Sequence, residues 1–464
     1  MWSKYHMLTT SVPPSLSPSV HKRKLFQRMQ PWIVIFSASL FFFFEFMQVN
    51  MFNAIDSSLY KAFHLKDATE LGQLSACYMY ANVLFLFPAG MILDRYSTRL
   101  IITLSMFVCV ACAFLFSFTT ALWQAEVCRL LTGVAGSFCL LSCVRFASRW
   151  FSARQMALVI GLIVTFAMIG GMIAQTPFTK LTELYGWRNT LRLDALSGLF
   201  MLAIIIIFVR DYPPGTKAFF EEQQAALERI GFWHALKKVI SNSQNWLGGA
   251  FISLINLPIF LLGSTWGGWY LVQTQHLSAM DASYVISMIF FGMIIGSPTI
   301  GWMSDKLGQR KIPMIIGAIT SIAVILIIMY WPSPSLYTLL ILFFMLGYVV
   351  SSQILGYPLI AESNSAILTG AAEGLASMLI MAGGFFIPLF PKLLDLDWNH
   401  QMHHNVPLYS LFDYHIAFLI MPLAFVIALI CASLIHETHC RALEETSSDD
   451  SLEMKLAQDS MMLR

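Results

Sequence analysis

Long apolar runs of about twenty residues dominate the chain and alternate with short polar connections. At the 1.5 Å rise of an α-helix, a run of this length crosses a bilayer. Twelve such runs can be drawn, at residues 31–53, 71–93, 99–120, 123–146, 156–178, 188–209, 247–273, 281–303, 312–331, 335–359, 370–392 and 410–435. The pattern predicts an all-α membrane protein with twelve transmembrane helices.

The longest connection, residues 210–246, divides these runs six and six. Its middle, from Lys217 to Ile240, has the charge order of an amphipathic helix, with acids near the start and bases near the end. The predicted organisation is a disordered arm, an N-terminal bundle, a cytosolic linker, a C-terminal bundle and a disordered acidic tail, at residues 1–30, 31–209, 210–246, 247–435 and 436–464.

The composition supports the membrane class and excludes others. Hydrophobic residues make up 57% of the chain and charged residues 12%, about half the charged share of a typical soluble domain. A net charge of +2 gives no reason to expect a nucleic-acid partner. The sequence has no phosphate-cradling glycine-rich loop and no nucleophile–base pair at a plausible depth, so we expect neither an enzyme nor a bound cofactor.

Lys and Arg are concentrated in the connections on the side of the N-terminus, which predicts that both termini are cytosolic. The first apolar run lacks a small-residue cleavage site, so we interpret it as a retained helix. The compact loops suit a bacterial inner membrane, with an organellar membrane as the alternative.

A ten-residue motif occurs twice, about 211 positions apart, after the second apolar run of each half. The first copy contains Gly90, Asp94, Arg95 and Arg99, and the second contains Gly301, Asp305, Lys306 and Arg310. A repeat at nearly half the chain length, at the same place in each half, indicates internal duplication.

This motif resembles the loop signature of the major facilitator superfamily of membrane transporters. The stretches Arg129–Gly133 in helix 4 and Gly370–Gly374 at helix 11 are similar to further motifs of that family. Tyr78–Asn82 resembles the organic-solute branch that includes bacterial phagosomal nutrient transporters and lysosomal dipeptide carriers. The resemblance implies two pseudo-symmetric six-helix bundles, a substrate site between them near the midplane, and alternating access.

The resemblance also implies roles for the repeated motif. In the family, the first-copy Asp, here Asp94, closes the cytosolic gate by meeting the start of helix 11, where Gly370 and Gly374 leave room for it. Arg95 and Arg99 would bind the cytosolic end of a neighbouring helix. The alternative is that these bases only set the orientation of the chain in the membrane.

Ionisable residues inside apolar runs are costly and usually functional. Glu45 lies about 12 Å from the outer end of helix 1, and Arg129 about 9 Å from the outer end of helix 4. We expect the two to face one another in the central cavity, with Glu126 one turn above Arg129. Three interpretations remain open: proton coupling, contact with a charged substrate, and a static ion pair.

The glycine-rich stretch Gly263–Tyr270 predicts a break in helix 7, either for bending or for close helix packing. Polar and aromatic side chains at cavity depth are candidate substrate contacts; they are Tyr78, Asn256, Trp266, Tyr270, Gln353 and Tyr357. The histidines of the loop between helices 11 and 12, His400, His403 and His404, match no metal-site pattern, and we expect no metal.

The expected function is secondary active transport by alternating access. We favour proton-coupled uptake of a small polar organic solute, such as an amino acid, short peptide or carboxylate, by a monomer in the bilayer. One alternative is an efflux pump for amphipathic compounds, which the lack of a Gly-Pro step in helix 5 disfavours. The other is a non-transporting sensor on a transporter scaffold.

Overall fold

The computed structural model describes residues 18–151, 153–218, 232–364, 369–399, 401–403 and 406–441. The spans of the N-terminal half are Pro18–Asn50 (span 1), Ala68–Arg95 (span 2), Thr98–Phe116 (span 3), Leu122–Gly136 with Cys139–Trp150 (span 4), Ala153–Ile173 with Thr176–Tyr185 (span 5) and Trp187–Phe208 (span 6).

The C-terminal half follows the same plan with more interruptions. Its spans are Ser243–Ile255 with Ile259–Trp266 and Gly267–Thr274 (span 7), Ala279–Leu307 (span 8), Lys311–Tyr330 (span 9), Leu336–Val350 with Ser351–Leu355 and Gly356–Glu362 (span 10), Thr369–Ala382 with Gly383–Phe386 and Leu389–Leu394 (span 11), and Leu411–Phe418 with Ile420–Leu434 (span 12).

Among the described residues, eleven helices are long and apolar enough to cross a membrane. Span 2 is the twelfth: its 28 residues reach about 42 Å at 1.5 Å per residue. Shorter elements connect the spans; they are the helices Phe52–Phe63 and Phe232–Ser241 and the antiparallel strands Met402–His403 and Val406–Pro407. The predicted twelve-helix, all-α membrane fold is confirmed.

Local chemistry starts several spans. The side chain of Asp67 accepts a hydrogen bond from the backbone N–H of Glu70 at the start of span 2, and Ser278 accepts one from Asp281 at the start of span 8. Such caps satisfy backbone N–H groups that have no partner within the helix. Spans 2 and 8 also carry a proline at equivalent places, Pro88 and Pro298, as expected for duplicated halves.

The two halves meet along three pairs of spans: 1 with 7, 2 with 11, and 5 with 8. These pairs are related by the pseudo-twofold relation that exchanges the halves. We call the end of the bundle where span 1 begins and span 12 ends the terminal face. The other end, which holds the helix Phe52–Phe63 and the connection 395–410, is the opposite face.

The structure corrects two predicted boundaries. The first helix begins at Pro18, so residues 18–30 are helical and not part of a disordered arm. Residues 436–441, predicted to begin a disordered tail, pack against the terminal face of the C-terminal half. The predicted linker helix overlaps the observed helix Phe232–Ser241, whereas residues 219–231 and 442–464 lie outside the described part of the chain.

Candidate functional site

The most specific contact between the halves joins the helix Phe52–Phe63, which follows span 1, to span 7. Asn53 Nδ2 donates to the backbone oxygens of Leu262 and Gly263 at 2.8 and 2.7 Å, and its Oδ1 accepts from the N–H of Gly268 at 3.0 Å. Gln175 Nε2, at the break in span 5, also donates to Gly263 O, at 2.7 Å. Two amide side chains of one half therefore bind the backbone of the other. We call this group, Asn53 and Gln175 with residues 262–268, the amide latch.

The backbone oxygens that the two amides bind across the interface, those of Leu262 and Gly263, belong to a π-helix, Ile259–Trp266. Its widened turns follow Pro258, which has no N–H to donate to the helix. A Cβ atom on Gly267 would lie 2.3 Å from Leu262 O, so this geometry needs glycine at that position. The predicted break in helix 7 is confirmed, and it begins four residues before the predicted stretch.

Further polar contacts join the halves at the opposite face. Ser75 Oγ lies 3.1 Å from Thr265 Oγ1, and Thr176 Oγ1 lies 3.1 Å from Ser287 Oγ. A third group lies at the rim, where Asp395 accepts hydrogen bonds from Thr69 of span 2 and from Tyr409. Burial raises the pKa of Asp395, and the two hydroxyl donors oppose that rise.

The packing around glycines differs between the opposite face and the terminal face. A Cβ atom on Gly171 of span 5 would lie 2.5 Å from the Phe290 ring of span 8, and one on Gly384 of span 11 would lie 2.7 Å from Met79 of span 2. In contrast, no atom of the described residues lies within 4 Å of such a Cβ at four glycines near the terminal face: Gly90, Gly161, Gly301 and Gly374. The halves are thus closely packed toward the opposite face and apart at these terminal-face positions.

At the terminal face of the N-terminal half, polar groups bind within the half. Asp211, which follows span 6, accepts hydrogen bonds from the backbone N–H of Arg99 and from Ser97 Oγ at the start of span 3. Arg149 at the end of span 4 lies 3.6 Å from the same carboxylate. Arg99 Nη2 donates to Ile206 O at 2.7 Å, near the end of span 6.

The C-terminal half repeats this arrangement. Glu437, which follows span 12, accepts from the backbone N–H groups of Arg310 and Lys311 at the start of span 9, both at 2.8 Å. Arg310 pairs with Asp305 at 2.6 Å and with Glu362 at the end of span 10 at 2.9 Å. We call the Asp211 and Glu437 arrangements the N-clasp and the C-clasp. The N-clasp joins spans 3, 4 and 6 of one half, and the C-clasp joins spans 8, 9, 10 and 12 of the other.

The buried charges lie inside the N-terminal half. The side chains of Glu45 and Arg129 are each 3% exposed, and Arg129 lies over the rings of Phe52 and Tyr78. Arg129 Nη1 donates to the backbone oxygen of Gln48 at 2.8 Å, while Glu45 Oε2 has no hydrogen-bond partner. Among the described residues the two form no ion pair within 4.0 Å, but each acts electrostatically on the other, so they lie near one another in this conformation without a direct salt bridge.

Sequence reasoning missed a third buried charge. Asp194 of span 6 is 3% exposed and accepts a hydrogen bond from the side chain of Gln48, and its Oδ1 has no partner. The rule that selected Glu45, an ionisable residue within an apolar run, would have found it. Two carboxylates and one guanidinium therefore lie in the core of this half, and Gln48 links Asp194 to Arg129.

The remaining candidates divide between the two halves and their interface. Trp266 is fully buried, stacks on Phe390 and contacts Gly72 of span 2, so it lies at the closed interface. Tyr270 donates to Ile328 O and packs on Tyr414 within the C-terminal half; this core position corrects its assignment as a substrate contact.

The other predicted cavity residues lie at helix interruptions or near Arg129. Asn256 ends the first segment of span 7, and Gln353 lies in the 3₁₀ segment of span 10; both are nearly buried. Tyr357 is half-buried on the next turn of span 10. Tyr78 packs beneath Arg129, and Glu126 is half-buried one turn before Arg129.

Several motif residues cannot be compared with their predicted roles. The structure does not describe the side chains of Asp94, Arg95 and His403. His400 and His404 lie outside the described residues. Of the second motif copy, Lys306 lies over the ring of Trp302.

Comparison with known proteins agrees with this architecture. The family model described as Major Facilitator Superfamily matches residues 35–388 and 259–450. Two relatives align over most of both chains: the MFS-type transporter hasB of Aspergillus fumigatus, 23% identical over 77% of this chain and 79% of its own, and the gentisate transporter of Corynebacterium glutamicum, 23% identical over 79% and 81%.

A shorter match, 24% identical over 49% of this chain and 54% of its own, is to the lysosomal dipeptide transporter MFSD1 of Gallus gallus. Among solved structures, the fold resembles that of a bacterial homologue of the human lysosomal transporter Spinster in an inward-facing conformation. The TM-score is 0.63 at 15% identity, over 87% of this chain and 96% of the other.

Proposed function

Because the chain belongs to the Major Facilitator Superfamily of transporters, we propose that it carries a small polar organic solute across a membrane by alternating access, coupled to protons. Proton coupling is supported by the environment of Glu45. This buried carboxylate has an oxygen without a hydrogen-bond partner and lies in the same core as Arg129. An ionised carboxylate left unpaired in a low-dielectric core is costly. A proton taken up there removes that cost.

Coupling requires that the surroundings of Glu45 change during transport. Arg129 is held by a backbone oxygen of span 1 and two aromatic rings, and these contacts involve spans that also meet the other half. In our proposal, Arg129 approaches Glu45 in one state and withdraws in the other, so the carboxylate alternately binds and releases a proton.

The asymmetry between the faces supports alternating access. Latch and glycine contacts join the halves toward the opposite face, whereas the N-clasp and the C-clasp each lie within one half. We propose that the terminal face is cytosolic, which agrees with the distribution of Lys and Arg, and that this conformation is open inward. We also propose a bacterial inner membrane as the location and a monomer as the working unit.

The solute class rests on the mixed charge of the N-terminal core and on the relatives. Two carboxylates, Glu45 and Asp194, lie in the same core as Arg129, and we propose a solute that carries both a cationic and an anionic group, such as an amino acid or short peptide, or a carboxylate. Relatives are named for gentisate, for galactarate and D-glucarate, and for dipeptides.

The decisive experiment measures internal pH in proteoliposomes while pools of amino acids, dipeptides and organic acids are added outside. A pool that acidifies the lumen for the natural chain, but not for Glu45→Gln, supports proton symport. Glu183→Gln, at an exposed position of span 5, is the matched control and should behave as the natural chain. Solute entry without a pH change, and equal in Glu45→Gln, would overturn proton coupling through Glu45.

A further inference from the structure

A cavity of about 260 Å³ lies between the halves at the opposite face. It is bordered by the helix Phe52–Phe63, the end of span 5, spans 7 and 8, and the strand Val406–Pro407. At roughly 30 Å³ per water in the liquid, its volume equals that of about nine waters. The cavity is separate from the Glu45–Arg129 core, and three residues of the amide latch, Asn53, Gln175 and Gly268, line it.

Two of the residues that line this cavity carry buried oxygen atoms without partners. Asp56 is 5% exposed; its Oδ1 accepts two hydrogen bonds from Ser57, but its Oδ2 accepts none. Gln175 is fully buried. Its Nε2 donates hydrogen bonds to two backbone oxygens, and its Oε1 has no hydrogen-bond partner. Buried polar atoms usually have partners. These two are acceptors, and the one unpartnered buried donor among the described lining residues is Trp269 Nε1.

The charge of Asp56 is not balanced by a neighbouring base. Lys61 lines the same cavity, but its side chain is exposed, and among the described residues it forms no ion pair with Asp56. The side chain of Trp269 lies close enough to this carboxylate to oppose the rise in its pKa, although neither the indole N–H nor Oδ2 has a partner in hydrogen-bond geometry. The other titratable neighbour is the hydroxyl of Tyr414. Burial raises the pKa of Asp56 to about 7, against the effect of the Ser57 bonds.

We infer that this cavity is a second ligand site, which binds the ammonium group of a small solute between Asp56, Gln175 and Trp269. An ammonium group donates three hydrogen bonds and needs acceptors, and a carboxylate and an amide oxygen supply them. The Trp269 indole adds an aromatic surface of the kind that attracts cations. The inference rests on the proposed function only for the class of solute, because binding can occur without transport.

The test uses the full chain purified in detergent, with ethylammonium chloride as the probe and binding followed by calorimetry and by the melting temperature. We expect ethylammonium to bind and to raise the melting temperature, whereas sodium chloride and sodium propionate at equal concentrations do not. Asp56→Asn should weaken binding at least about tenfold, because a charge-assisted bond is lost. Lys61→Gln should strengthen binding, because a competing cation is removed.

Asp397→Asn, at an exposed position of the same face, is the matched control and should bind as the natural chain does. Asparagine has nearly the shape of aspartate, and an unchanged elution profile of Asp56→Asn would show that the variant folds. Equal stabilisation by sodium chloride, or undiminished binding to Asp56→Asn, would overturn the inference. The binding test involves no proton gradient, so its failure would not bear on proton-coupled transport. Likewise, a loss of proton coupling in proteoliposomes would not bear on this binding site.

Discussion

The opposite face and the terminal face of this bundle are held together in different ways. Toward the opposite face, side chains of one half bind the backbone of the other, as Asn53 binds Gly263 and Gly268. At the terminal face, the N-clasp joins three spans and the C-clasp joins four, and neither crosses to the other half. At the terminal face, where the halves are apart, each half is therefore stabilised by bonds among its own spans. Toward the opposite face, where the halves are in contact, the latch supplies specific bonds between them.

The two clasps also differ from the latch in kind. Asp211 and Glu437 place a carboxylate at the start of a helix, where backbone N–H groups and the helix dipole favour negative charge. The latch instead uses neutral amides on backbone oxygens of a π-helix. Neutral bonds of this sort contribute roughly 0.5–1.5 kcal/mol each, which suits a contact that must open and close.

The largest effect is expected from filling the glycine contacts. Gly171→Leu inserts a side chain against Phe290, and overpacking of this kind costs about 1–3 kcal/mol, a shift of roughly tenfold or more in the balance between the closed and open opposite face. Gly90→Leu meets nothing in this conformation but obstructs closure of the terminal face.

Both glycine variants should lose most solute uptake, and they should trap opposite states. A membrane-impermeant maleimide should label a cysteine introduced as Ser75→Cys faster in Gly171→Leu and more slowly in Gly90→Leu. Normal uptake by Gly90→Leu would argue against movement of the terminal face.

The second effect concerns the latch. Asn53→Ala removes three hydrogen bonds between the halves, and we expect the opposite face to open about tenfold more often, since net losses near 1.4 kcal/mol correspond to that factor. The labelling rate of Ser75→Cys measures this. Asn189→Ala, which removes an exposed bond within one half, should leave the rate unchanged; equal rates in both variants would contradict the latch.

The third effect is on stability alone. Asp211→Asn and Glu437→Gln each weaken a helix cap, at a cost of about 1 kcal/mol. Both should lower the melting temperature and leave the labelling rate of Ser75→Cys unchanged. A clear change in that rate would show that a clasp takes part in opening of the opposite face, and it would contradict the different roles assigned to the two faces.

The smallest effect is the pH dependence of the C-clasp. Burial alone would raise the pKa of Glu437, but the backbone donors at Arg310 and Lys311 outweigh it and hold the pKa below its usual value. A lowered pKa in the folded state gives stability that is present above the unfolded pKa and lost as the pH falls through the folded pKa. The difference in melting temperature between the natural chain and Glu437→Gln should therefore shrink as the pH is lowered below about 4.5. A constant difference would contradict the charge-based role.

Much of this architecture is readable from the sequence, because span length and hydrophobic pattern determine the twelve helices. Even the break in span 7 is visible in Gly263–Tyr270. The latch was not predicted, because Asn53 and Gln175 are ordinary amides. Their importance depends on which backbone oxygens of the other half they bind, and these lie 209 and 210 residues away for Asn53 and 88 residues away for Gln175. The C-clasp was missed for a related reason: Glu437 looked like the start of an acidic tail, and only its contact with Arg310 reveals the cap.

The most direct test measures two distances by pulsed electron paramagnetic resonance in a background with the eight native cysteines replaced. One spin-label pair, at Lys66 and Asp397, reports on the opposite face, and the other, at Tyr96 and Leu307, reports on the terminal face; all four side chains are exposed. On introducing Asn53→Ala, the opposite-face distance should lengthen and the terminal-face distance should shorten in the same molecules. If both distances lengthen, or only one changes, the halves do not rock as units, and the alternating-access account is contradicted.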